Sequence, residues 1–164
     1  MATITGGAKL EAKLKELAAL VAKPATLRVG FLENAKYPDG TPVALIAAIQ
    51  DFGAPSVGIP PRPFFRNMIA AKKGEWPAAI AALLKANDLD AEKALDQAGQ
   101  AIARQLRQSI IDTNTPALAE STLRKRGVPA GTKYDPTDSS TFGAKPLVDT
   151  GHMLNSVDHD VKTA

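Results

Sequence analysis

The chain has 164 residues, 45% hydrophobic and 23% charged, with a formal net charge of +3, and one domain around one core is the natural count for that length. It has no cysteine and only His152 and His159 as histidines, which excludes disulfides, thiolate metal sites and thiol nucleophiles and disfavours zinc on histidine alone. Acids and bases interleave throughout, which argues against a concentrated basic face for DNA, and no apolar run approaches the roughly 18 residues that a membrane span needs.

In chain order, residues 1–8 read as a flexible tail loosened by Gly6 and Gly7, without the basic and apolar regions of a targeting signal. Synthesis in the cytoplasm is therefore the expectation. Leu10, Leu14, Leu17 and Val21 then fall on one stripe of a surface-lying amphipathic helix, which Pro24 stops, and Glu11 is placed to pair with Lys15. Residues 26–32 alternate as a strand, with Leu27, Val29 and Phe31 on one face. Tyr37, Pro38, Asp39 and Gly40 are turn chemistry, and Thr41 and Pro42 suit an N-cap and a first helical position. Residues 43–52 are so poor in polar side chains that the helix they predict is expected to be buried, with Gly53 terminating it.

Pro60, Pro61 and Pro63 make residues 59–65 a stiff connector from which Phe64 and Phe65 leave with little freedom. Two readings of this stretch stay open. Arg62 and the rings form an exposed hot spot, or the rings plug the domain's own core and Arg62 pairs with a carboxylate. Residues 67–86 read as helix, kinked or restarted near Pro77. Asp90 begins the strongest helix, with Leu95, Ala98, Ile102, Leu106 and Ile110 on its apolar stripe. Through residues 113–148 the pattern fails among Pro116, Pro129, Pro136 and Pro146, giving a long loop or arm of the kind that orders on contact, with two helical turns over 119–126. A short turn at Met153 and Leu154 and a last strand over 156–161 complete an α+β fold: a small antiparallel sheet packed with a long amphipathic helix and shorter helices, plus the irregular arm.

Asp149, His152 and Ser156 are the only residues that suggest a hydrolytic set, but nearness in sequence does not place a nucleophile against a base. Asp149, Thr150 and Gly151 read more simply as a turn or cap before a short helix. Arg124, Lys125 and Arg126 form the densest basic cluster, joined by Arg104 and Arg107. They support an alternative function as a small nucleic-acid-binding module, although no aromatics interleave with them for base stacking. No catalytic, cofactor-binding or metal-ligating residue is assigned.

The order of Val29-Gly30, Phe52-Gly53, the run from Ile59 to Phe65, Leu118, Thr122, Arg124 to Arg126, the run from Pro146 to Gly151, Leu154 and Ser156 resembles the tail-completion or neck proteins of tailed bacteriophages, also called virion morphogenesis or minor tail proteins. The resemblance spans roughly residues 27–158, with residues 127–145 longer and more polar than the family pattern. It implies a single tail-completion-like domain over 1–164 and a structural, non-enzymatic role without cofactors. Many copies would form a ring, a hexamer or dodecamer, at the virion neck or tail, meeting connector and tail tube or tail terminator proteins and passing close to phage DNA, with no membrane partner. The expected subunit or partner contacts are Ile59, Pro61, Arg62, Phe64, Phe65, Leu118, Thr122, Arg124, Lys125 and Arg126, while Gly53, Asp149, Thr150 and Gly151 serve as turns or caps. On this view, replacing Arg62 and Phe64 by alanine leaves the monomer folded and weakens assembly.

Overall fold

Two strands from opposite ends of the chain close the fold. The computed structural model describes residues 7–21 and 24–163. Strand β1 (Ala25–Phe31) pairs antiparallel with β2 (Val157–Thr163), with Phe31 opposite Val157 and Ala25 opposite Thr163. Leu27, Val29 and Phe31 pack against the core, as the alternation predicts. On the other face Arg28 Nη2 donates to Asp160 Oδ2 across the ladder at 2.7 Å, and that hydrogen bond holds the Asp160 carboxyl below the usual carboxylate range.

The longest helix, Ala91–Asp112, lies across this sheet. The helices are α1 (Gly7–Val21), α2 (Val43–Phe52), α3 (Phe64–Lys72), α4 (Trp76–Ala86), α5 (Ala91–Asp112), α6 (Glu120–Lys125) and α7 (His152–Asn155). Asp90 caps α5 by accepting the Lys93 N–H at 3.1 Å. The face of α5 turned inward carries Ala94, Ala98, Gly99, Ile102, Ala103, Leu106 and Ile110, whereas Leu95 is only half-buried. Small residues line the N-terminal half of that face because the paired strands β1 and β2 come close there. A Cβ on Gly99 would lie 2.3 Å from His159 Cδ2 and 2.8 Å from Leu27 Cδ1. The His159 ring cannot simply swing away, since Nε2 is held 2.8 Å from Asp96 Oδ1. Gly99→Ala is therefore expected to lower stability by about 1–3 kcal/mol despite the better helix propensity of alanine; an unchanged thermal midpoint would show that the strand pair yields freely.

The helical stretch expected over residues 67–86 is two helices. Helix α3 starts earlier, at Phe64, and Pro77 stands in the first turn of α4, where its missing N–H costs nothing. Helix α2 begins one residue after Pro42, and it corrects the expectation of full burial. Val43, Ala47 and Asp51 face inward, but Leu45 is 52% and Phe52 64% exposed. Its C-terminus behaves as predicted. Gly53 has φ of 77° and donates its N–H to Ile49 O, and a Cβ there would lie 2.8 Å from Pro61 N.

In α1, Leu10 and Leu14 are exposed, and Lys15 Nζ lies 3.3 Å from Glu11 Oε1 as expected. Gly7 and Ala8 are already helical; the rest of the tail expected over residues 1–8, and the side chains of Leu17 and Val21, lie outside the described residues. The segment 113–148 is irregular but folded against the body. It contains α6, a cis Thr115–Pro116 peptide bond and a 3₁₀ turn at Ser139–Ala144, and Leu123, Ala144, Pro146 and Leu147 are buried. Among the described residues no helix is long and apolar enough to cross a membrane.

Candidate functional site

A cleft of about 800 Å³ lies between the C-terminal half of α2, the proline connector, α6 and the return of the chain through residues 146–155. The positions singled out by the sequence converge here from three separate segments. Ile59 and Arg62 form one wall, Leu118, Thr122 and Arg126 another, and Asp149, Thr150 and Gly151 a third. Ile46, Leu147 and Met153 add apolar surface between them.

Arg62 organises this site from below. It is 4% exposed, so it is not an exposed hot spot, and its partners are not carboxylates either. Nε donates to Pro116 O at 2.9 Å, Nη2 to Ala117 O at 3.0 Å and Nη1 to Gln50 Oε1 at 3.1 Å. The connector aims it there because the Arg62 N–H is itself fixed to Gln50 O at 2.7 Å. One guanidinium thus ties the root of the arm to α2. Burial, and secondarily the positive charge of Arg126, pull its pKa below the usual arginine value.

Arg126 does the same for the far end of the arm. Its Nη1 donates to Gly143 O, Lys145 O and Val148 O at 3.2, 2.8 and 3.1 Å, and Nε lies 3.4 Å from Asp149 Oδ1 at the mouth. The basic cluster of the sequence is therefore split. Arg126 turns inward, Arg107 donates to Val157 O, and Arg104, Arg124 and Lys125 face solvent.

The aromatic pair also turns inward. Phe64 is fully buried, with Phe31 edge-on to its ring at a centroid distance of 6.4 Å. Phe65 is half-buried and packed against the core. The expected subunit contacts through Arg62 and Phe64 are thereby corrected, because the α5 core and the arm already occupy them. Pro61, Arg124 and Lys125 remain exposed, and Ile59, Leu118 and Thr122 half-buried.

Asp149, His152 and Ser156 are not brought together as a catalytic set. His152 Nε2 lies 2.8 Å from Lys36 O, with its ring stacked against Tyr37 at 4.7 Å. Ser156 Oγ donates to the His152 carbonyl at 2.8 Å, and Asp149 faces Arg126. Gly151, in the left-handed region at φ of 77°, leads into α7, as the turn reading requires. Burial raises the Tyr37 pKa, with the charges of Asp149 and Asp39 adding to the effect.

Asp51 is the polar residue that sequence reasoning missed. It is 3% exposed at the end of α2, yet Oδ1 accepts the Phe65 N–H at 2.9 Å and Oδ2 accepts Arg66 Nε at 2.7 Å. It thus caps α3 from another helix, where Pro63 as N-cap has no side-chain donor or acceptor to offer. The available signal was the single acid in the run 43–52, which is apolar apart from it and Gln50.

No protein-family model, curated protein or solved structure matches the chain.

Proposed function

We propose that the chain is a structural subunit of a phage neck or head–tail junction, one of many copies in a ring that completes the tail and joins it to the capsid connector. The observation that carries this reading is uncovered apolar surface. Leu10, Leu14, Leu45, Phe52, Val57 and Phe142 are all more than half exposed, and α4, rich in alanine and leucine, has no buried residue. Total accessible surface is 10691 Å², against about 7,800 Å² for a compact monomer of this mass. A ring subunit must cover two faces, each about 800 Å² for a standard interface, and heterologous contacts close into rings when the rotation allows.

The order of motifs that resembles the tail-completion family supports the same reading, since the motifs meet at one cleft and its supports. The accessible residues Ile59, Pro61, Leu118, Thr122, Arg124 and Lys125 stay as proposed contacts. Mass measurement of the purified protein, with negative-stain imaging, is expected to give a hexamer or dodecamer. Leu45→Asp with Phe52→Asp is expected to yield folded monomers. A wild-type protein that stays monomeric at every concentration, and is absent from virion necks, overturns the proposal.

A further inference from the structure

The tip of the arm is ordered by its own hydrogen bonds. Asp135 N–H donates to Thr141 Oγ1 at 2.8 Å, Thr141 Oγ1 donates to Asp138 O at 2.8 Å, and Asp138 Oδ1 accepts the Ser140 N–H at 2.9 Å. On this frame Tyr134 and Phe142 pair at 6.1 Å, and Lys145 Nζ stands 4.3 Å from the Tyr134 centroid. The tip nevertheless buries little, for Phe142 is 54% exposed, and Asp135 and Asp138 are exposed with only Oδ1 of each engaged within the tip, by Thr137 and Ser140. A rigid aromatic and two acids held away from the core are a pre-organised anchor, whose ordering cost is met before any partner arrives.

The cleft has the complementary chemistry. Its apolar surface includes Ile59 and Leu118, and below them lies Arg62, which has no carboxylate among its hydrogen-bond partners. Three of its five N–H groups are engaged. The acids at the cleft are committed elsewhere: Asp149 faces Arg126, and Asp39 accepts the Thr41 N–H. A buried guanidinium facing a cleft without its own counter-ion is where an incoming carboxylate gains most. The arm tip does not line the cleft of its own chain.

We infer that the arm tip of one copy seats in the cleft of a second copy, with Phe142 against Ile59 and Leu118 and the acids of the tip directed toward Arg62. This rests on the ring reading and specifies its interface as heterologous, tip into cleft. Two full-length variants test it, Phe142→Ser at the tip and Leu118→Glu in the cleft, with thermal melts to establish that each folds. Each alone is expected to self-associate at least about tenfold more weakly than wild type, the loss typical of an anchor residue. Mixed in equal amounts, they are expected to form a 1:1 dimer that grows no further, because the mixture retains one intact tip and one intact cleft. Wild-type assembly by Phe142→Ser, or folded variants that give no dimer on mixing, overturns the inference and leaves the ring reading in place. A wild type that is monomeric at every concentration and absent from virion necks removes both.

Discussion

Phe64→Ala is expected to destabilise the fold by about 3–5 kcal/mol, the range for deleting a fully enclosed phenylalanine ring. The ring has no exposed surface and sits in one core with Val43, Met68, Leu106 and Ile110. Its own backbone is held at both sides, with Phe64 N–H to Arg62 O at 2.7 Å and Phe64 O accepting Ser109 Oγ at 2.7 Å. The neighbours therefore cannot collapse into the space, and most of the cavity term persists. For a domain of this size that loss lowers the thermal midpoint by about 6–20 °C, and it is a large share of typical stability. A variant with the wild-type midpoint that failed only in assembly would restore a surface role for this ring.

Arg62→Met is the second large effect, and its mechanism differs. Methionine fills similar space but leaves Pro116 O, Ala117 O and Gln50 Oε1 without their donor. Stranded buried acceptors cost about 1–3 kcal/mol each when they cannot reach water, so a loss of about 3 kcal/mol is expected once some rehydrate. The damage should be directional, because the bonds lost are those that fix the arm root. Limited proteolysis is expected to cut within residues 113–119 under native conditions, before global unfolding. Arg62→Lys should rescue poorly, since one ammonium cannot match a fork aimed at three acceptors. If the arm of Arg62→Met is as resistant to protease as that of the wild type, Arg62 is not the clamp.

The exposed side of α2 and the buried Arg62 are linked. Because Arg62 and Asp51 both draw on the end of α2 facing the connector, that helix is fixed with Leu45 and Phe52 outward. Arg66 then stacks on Phe52 with its guanidinium carbon 4.5 Å from the ring centroid. A cation held over an exposed aromatic is a common feature of association surfaces. Folding thus presents the apolar face that the proposed assembly would cover.

By itself the sequence determined the elements and most of their ends. The period of the apolar residues over 91–112, the alternation over 25–31 and the break at Pro77 each act within a few residues of chain, and local patterns of that kind survive without knowledge of partners. It also singled out Ile59, Arg62, Leu118, Thr122, Arg126 and Asp149, which meet at one cleft. Only the tertiary structure decided which way those side chains turn. Proline fixes φ but not the direction in which the next ring points, and the carbonyls that claim Arg62 lie 54 and 55 residues further on. For the same reason Asp51 could not be recognised as the cap of α3, nor the apolar run 43–52 as half uncovered. A period identifies a face, and what covers that face is set by chain segments far away in sequence.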